Sequence, residues 1–253
     1  MTKTPNEGSA PFVLAGRNAV IEAINSDKTV NRLFVKKGEI EGSLKMIVAK
    51  AKDKGIVITF VPKEKLDELS ENARHQGVIA FCPPYDYADL GDVLSDIAKK
   101  SQQPFLIILD KIFDPHNFGA IIRTALACAA HAIIIPKRRS VGITPAVVSA
   151  SAGAVEHLPI CRVSNISQTI EHLKSQNIWT VGADAGGATI YASPAPFDGP
   201  TALVIGNENE GISRLVKEKC DFLVSLPMHG PIPSLNASVA AAVCMYEVLR
   251  RRL

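Results

Sequence analysis

The sequence predicts an α/β protein of two domains, the larger built on a mostly parallel sheet with helices on both faces. Three observations predict it. Continuous apolar runs at 105–109, 132–135 and 202–205 read as strands buried on both faces, the mark of a parallel sheet. Segments of helical period separate these runs, as parallel crossovers require. Finally, Pro83-Pro84-Tyr85-Asp86-Tyr87 interrupts the alternation with a stiff, extended stretch, which places a domain boundary there.

Length and composition agree. The chain has 253 residues, 47% of them hydrophobic, enough to bury a sizeable core in two domains. No apolar run approaches the roughly 20 residues of a membrane span, and the N-terminus lacks a basic-then-apolar leader pattern. The five cysteines are scattered without a CxxC pair, which predicts reduced, buried thiols in a cytoplasmic protein. Net charge is only +3, and residues 1–85 hold the whole excess, with 13 Lys+Arg against 10 Asp+Glu. That distribution suits an RNA-capturing first domain, and it is also ordinary for a solvated surface.

Residues 1–11 are polar and read as a flexible tail. From 12 to 83 the expected order is a helix at 18–24, a strand at 32–35 and an amphipathic helix at 44–54 stopped by Gly55. A β-branched strand at 56–61, a charged helix at 63–72 and a strand at 78–81 complete this small domain. Residues 84–100 are expected to link the domains, with a helix at 89–100. The second domain, 101–253, is expected to run strand 105–109, helix 117–129, strand 132–135, helix 144–152, strand 158–163 and helix 166–176. Strands at 178–182 and 202–205, a helix at 211–219, a strand at 222–226 and a helix at 236–252 follow.

Three segments carry chemistry. Asp114-Pro-His-Asn-Phe-Gly-x-x-x-Arg-Thr-Ala125 begins where a buried strand ends, the edge at which open α/β sheets bind ligands. In it Asn117 can cap a helix or touch substrate. Arg123 is a charge on a largely apolar helix, suited to an anion, to snorkelling or to pairing with Asp110 or Asp114. In Ile205-Gly-Asn-Glu-Asn-Glu-Gly211, Gly206 allows close backbone approach by a ligand, and Glu208 can accept from a hydroxyl or cap a helix. Leu226-Pro-Met-x-Gly-x-x-x-Ser-Leu-Asn-x-Ser-Val-Ala240 is a proline-bounded loop delivering Ser234, Leu235 and Asn236 onto a helix N-terminus, whose free N–H groups suit a polar ligand. Met228 and Leu235 would line an apolar slot.

Absences narrow the chemistry. No Gly-x-Gly-x-x-Gly follows the second domain's first strand, which disfavours a dinucleotide-binding oxidoreductase. There is no Walker loop and no Gly-x-Ser-x-Gly elbow. The six histidines show no HxxxH or HExxH spacing, so no metal site is expected.

Together the three segments resemble, in order and spacing, the motifs of the SpoU (TrmH) family of SPOUT RNA 2′-O-ribose methyltransferases, over roughly residues 100–253. Leu14-x-Gly-Arg-Asn-Ala-Val-x-Glu-Ala23 and His75-Gln-Gly-Val78 resemble the L30e-like substrate-binding domain of its ribosomal members, and the chain looks most like the 23S rRNA (guanosine-2′-O-)-methyltransferases. Two positions depart from the motifs: Asn207 stands where a small residue is commoner, and Ala237 where Val is usual.

The resemblance implies a C-terminal trefoil knot, a rare exception to the rule that chains avoid knots, and a homodimer. It implies S-adenosylmethionine held against Gly206, Leu226, Met228, Leu235, Ala183 and Asn236. Catalysis would involve Arg123, Asn117, Glu208, Ser234 and Asn236. Arg123 would engage the phosphate beside the target ribose, because a guanidinium scarcely gives up its proton. Glu208 or that phosphate would accept the hydroxyl proton. Lys137, Arg138 and Arg139 would extend a phosphate track, and Arg17, Lys36, Lys37 and Arg74 would contact RNA in the first domain. Two other functions fit the same motifs less fully: a tRNA ribose methyltransferase, and a non-enzymatic ribosome-assembly factor that kept the fold.

Overall fold

The computed structural model describes residues 12–25, 30–70, 74–232 and 234–253. The tail expected at 1–11, the end of the helix expected at 63–72, and Pro233 fall outside them. The chain divides into two units. One comprises residues through Asp86 together with Ile143–Glu156, and the other Tyr87–Gly142 and His157–Leu253.

In the first unit a four-stranded sheet runs β1 (Phe12–Ala15), β4 (Val78–Cys82), β2 (Arg32–Lys36), β3 (Val57–Val61). β4 is antiparallel to both β1 and β2, and β2 is parallel to β3. Strand β1 is an element the periodicity does not reveal: four residues are too few to show alternation. It exists because its backbone pairs along β4 from Phe12–Cys82 to Ala15–Ile79. Helices α1 (Arg17–Asn25), α2 (Ser43–Asp53) and α3 (Lys63–Leu69) bury Val20, Ile24, Ile47 and Leu66. Gly55, at φ 69°, follows α2 in the left-handed conformation that stops a helix at little cost.

The second unit carries a six-stranded sheet in which every pairing is parallel. Its order is β10 (Phe222–Ser225), β8 (Trp179–Thr189), β9 (Thr201–Ile205), β5 (Phe105–Leu109), β6 (Ala132–Pro136), β7 (Ile160–Val163). All five residues of β5 and of β9 are buried, as the continuous apolar runs predict. One face packs against α4 (Leu90–Lys99), α7 (Ile166–Ser175) and α8 (Arg214–Lys219) through Leu94, Ile97, Ile170, Leu173 and Val216. Elsewhere α5 (Pro115–Ala127) packs against α9 (Ala237–Arg252). Among the described residues no helix is long and apolar enough to cross a membrane.

Four expectations are corrected. Helix α4 is not part of a linker, because Leu94 and Ile97 are buried in the second unit's core. Helix α6 (Pro145–Ala150) packs against β1 and α1 and so belongs to the first unit, although its sequence lies inside the range expected for the second. The strand expected at 178–182 extends to Thr189: its register against β10 jumps from Gly182 opposite Leu223 to Ala188 opposite Val224. Residues 183–187 bow out, and Gly187 permits the return, since a Cβ there would sit 2.5 Å from the main chain of Leu223 and Val224. Lastly, the helix expected at 211–219 begins only at Arg214, because the preceding residues form a hairpin described below.

Two polar locks hold the second unit's periphery. Arg252 donates to the carbonyls of Phe197, Gly199, Gln103 and Pro104, closing α9 onto the loops before β9 and β5. Asp221 accepts from Thr180 N–H at 2.9 Å and its hydroxyl at 2.7 Å, and pairs with Lys174 at 2.6 Å. Burial pushes the Asp221 carboxyl up, but the Lys174 and Thr180 donors outweigh it and hold it below the usual carboxylate range. A depressed folded pKa stabilises above the unfolded value of about 3.9, and that stabilisation is lost as pH falls through the folded pKa. Asp221→Asn is therefore expected to cost about 2 kcal/mol at pH 7. Urea unfolding of both proteins at pH 7 and pH 3 should show the difference shrinking at the lower pH.

Candidate active site

The three motif segments meet at the carboxyl ends of β5, β9 and β10, beside the stretch of β8 that bows out after Gly182. There a cavity of about 490 Å3 is lined by Ala183 and Asp184, the 205–211 segment, Val224 to Leu226, Met228, and Ser234, Leu235, Ala237 and Ala240. Its size falls within the roughly 300–1,000 Å3 of small-molecule sites.

The local structure follows from a few residues. β9 ends at Ile205, and residues 206–211 fold back as a hairpin in which Asn207 and Gly211 exchange both main-chain hydrogen bonds, at 3.2 and 2.8 Å. Gly206 makes the turn possible, since a Cβ on it would overlap the main chain of Gly211 and Ile212. Asn207 stiffens the hairpin: its Oδ1 accepts from Asn209 N–H at 2.9 Å and its Nδ2 donates to the Lys111 carbonyl at 3.3 Å. The departure from a small residue at this position thus has a structural role that the sequence reading missed. An Asn one residue after a strand-ending glycine was the available signal, because Asn builds turns through its own side chain. Asp110, buried at the end of β5, accepts from Ser213 N–H at 2.7 Å and fixes the entry to α8.

A hydrogen-bonded relay joins the three motifs. Glu208 Oε1 accepts from Asn117 Nδ2 and, at 3.4 Å, from Ala237 N–H. Asn117 Oδ1 accepts from Asn236 Nδ2 at 2.9 Å. Asn236 Oδ1 then caps α9, accepting from Ser238 N–H at 2.9 Å, its hydroxyl at 2.6 Å, and Val239 N–H at 3.4 Å. The order fixes both amide orientations. A carboxylate only accepts, so Asn117 must turn its NH2 toward it, and the remaining groups follow.

The structure places Gly206, Leu226, Met228, Leu235 and Ala183 on the cavity wall, together with Glu208 and Ser234. Asn236 joins them through the relay rather than through the lining, and the Ser234 hydroxyl makes no hydrogen bond among the described residues. Arg123 is not brought to the cavity. Asn117 is buried on the first turn of α5, whereas Arg123 lies six residues on, exposed. At about 100° per residue that is a different face of the helix. The guanidinium pairs with neither candidate carboxylate: Asp110 binds Ser213 and Asp114 caps α5 through His116 N–H at 2.9 Å.

The cavity's electrostatics are asymmetric. Burial pushes the Asp184 carboxyl up, but its bonds to Lys217 and Gly186 N–H outweigh that and hold it low. The Lys111 ammonium does the same for Glu210. The cysteines take no part: burial pushes Cys161, Cys220 and Cys244 up to about 12, so their thiols stay protonated and poorly nucleophilic.

Apolar walls, main-chain groups at a glycine hairpin and a capped helix start suit a ligand with an apolar body and charged ends. Comparison with known proteins agrees. The sequence model of the SpoU rRNA methylase family matches residues 104–246, and that of the RNA 2′-O ribose methyltransferase substrate-binding domain matches 13–88. A Bacillus subtilis (strain 168) protein, YacO, named as an unconfirmed member of the TrmH family of tRNA/rRNA methyltransferases, is 48% identical over 239 residues, 94% of each chain. The crystal structure of the SpoU methyltransferase AviRb from Streptomyces viridochromogenes in complex with the cofactor AdoMet aligns with TM-score 0.79 and 25% identity, over 96% of this chain and 90% of that one. An AdoMet-bound rRNA methyltransferase from Sinorhizobium meliloti shares the fold, with TM-score 0.78 and 23% identity over 96% of this chain and 88% of that one.

Proposed function

The chain belongs to the SpoU rRNA methylase family of S-adenosylmethionine-dependent RNA 2′-O-methyltransferases, and from that membership we propose that its target is a guanosine ribose in 23S rRNA. The observation that carries the target is the first unit. It matches a substrate-binding domain and holds a concavity of about 1,170 Å3 whose lining mixes Arg17, Lys36, Lys63 and Arg74 with Glu39, Glu41 and Asp67; three of the four basic residues expected to meet RNA are among them. Arg17 is held in place there, donating to the Gln76 carbonyl at 3.1 Å and the Ser43 hydroxyl at 3.1 Å. A cation fixed before binding loses less freedom when it meets a phosphate.

S-Adenosylmethionine, when bound, supplies an electrophilic methyl group on a sulfonium. Gly206, Leu226, Met228, Leu235 and Ala183 would hold it, and the relay keeps the walls in register. The Ser234 hydroxyl orients the ribose from the cavity wall, while Asn236 acts through the relay that holds Asn117 and Glu208, and positioning of this kind accounts for much of the acceleration. Arg123, exposed and uncommitted, anchors a phosphate of the incoming RNA. Lys137, Arg138 and Arg139, exposed after β6, continue that track. Arg162 steadies the loop, donating to the Lys137 carbonyl at 2.9 Å while stacked 4.7 Å from the Tyr87 ring centroid. The same reading includes a C-terminal trefoil knot, a cytoplasmic location and a homodimer. For the dimer, α9 exposes Val239 and Tyr246, two turns apart on one stripe, as an unpaired helix face would.

The test is methyl transfer from labelled S-adenosylmethionine to unmodified 23S rRNA and, separately, to tRNA. Label is expected as 2′-O-methylguanosine in 23S rRNA only, with Arg123→Ala lowering kcat/KM by about 100-fold. Label in tRNA would keep the chemistry and overturn the target. RNA binding without transfer to either, or to assembly intermediates, would favour an assembly factor.

A further inference from the structure

Charge is unevenly compensated in the cavity of the second unit. Three carboxylates line it, Asp184, Glu208 and Glu210, and no Lys or Arg does so among the described residues. Asp184 is paired with Lys217 at 2.6 Å and Glu210 with Lys111 at 2.5 Å. Glu208 has no cationic partner among the described residues. Its bonds come from the Asn117 amide and the Ala237 N–H, both neutral donors. Such donors fill an oxygen's lone pairs without cancelling the group's charge. The cavity therefore keeps one uncompensated negative charge, on the side chain that ties the three motifs together. Low-dielectric walls extend the reach of such a charge beyond contact distance.

The two forms of the cofactor differ in the quantity this charge would sense. S-Adenosylmethionine carries a sulfonium, an ammonium and a carboxylate, and is a net cation. S-Adenosylhomocysteine has lost the sulfonium charge and is neutral overall. We infer that Glu208 is a cofactor-specificity residue, whose uncompensated carboxylate favours the methylated cation over the demethylated product. The enzyme then holds its methyl donor more tightly than what remains of it, and product leaves more readily. The inference rests on the cofactor assignment and adds to it a residue and a direction.

The test is calorimetric, on the full chain without RNA, with three ligands: S-adenosylmethionine, S-adenosylhomocysteine and sinefungin, in which an amine-bearing carbon replaces the methylated sulfur and restores the positive charge. Glu208→Gln keeps an acceptor for Asn117 and removes the charge. It is expected to weaken S-adenosylmethionine and sinefungin by about 3- to 10-fold each while S-adenosylhomocysteine changes by less than about 2-fold. Lys217→Met removes the cation from Asp184 and should move the preference the other way. A damaged pocket would weaken all three ligands together, so the ratio separates charge from packing. Equal weakening of all three by Glu208→Gln, or a shift by Lys217→Met in the same direction as Glu208→Gln, would overturn the inference and leave Glu208 only a positioning role. A wild-type chain that bound none of the three would overturn the cofactor assignment itself, and the inference with it.

Discussion

Gly206→Ala is expected to abolish measurable S-adenosylmethionine binding and to lower Tm by roughly 2–12 °C. The added methyl would overlap the main chain of Gly211 and Ile212, and backbone cannot step aside as a long side chain can. Either the hairpin opens, breaking the Asn207–Gly211 pair, or the end of β9 tilts out of its register with β5. Overpacking of this kind costs about 1–3 kcal/mol, and about 2–4 °C of Tm accompany each kcal/mol in a chain of this size. The affinity loss is the larger effect, because the displaced segment is a cavity wall. Differential scanning calorimetry and titration calorimetry on the same sample measure both. Binding within 2-fold of wild type would mean that the hairpin is not part of the cofactor's wall.

Asn236→Asp, a change of one NH2 to O−, is expected to lower kcat by about 100-fold while the protein stays folded. The Asp would still cap α9, since the oxygen facing Ser238 and Val239 N–H is unchanged in kind. Its other oxygen would face Asn117 Oδ1, where Asn236 Nδ2 now donates at 2.9 Å. Turning the Asn117 amide over does not rescue the contact, because its carbonyl would then face Glu208. A frustrated relay loosens α5, the hairpin and α9 against one another, and misplacement by about 1 Å suffices for a loss of that order. Single-turnover methyl transfer with thermal unfolding as a control decides the matter. Activity near wild type would reduce Asn236 to a helix cap.

Much of this molecule is legible in its sequence. The buried strands β5, β6 and β9 follow from runs such as Phe105–Leu109 that carry no polar residue, because only a strand covered on both faces tolerates them. The start of α9 follows from Asn236 after a proline-bounded loop. Strand β1 is not legible, because its stability comes from a partner more than sixty residues away. Neither is the membership of α6, whose apolar face reads alike whichever core it covers, nor the return of β8 through Gly187, which depends on how close the β10 main chain lies.

The same division runs through the site. Residue order alone determined the fold class, the three motifs and the residues they contain, because periodicity, turn chemistry and capping are local properties that neighbours in sequence decide. Tertiary structure decided which of those residues act together. It joined Glu208, Asn117 and Asn236 into one relay across separations of 91 and 119 residues. It turned Arg123 to another face of α5, and it paired Asp184 and Glu210 with lysines while leaving Glu208 its charge. Hydrogen bonds need contact geometry and charge pairing weakens with separation, so both are set by distances in space, which the spacing of residues along a chain does not specify.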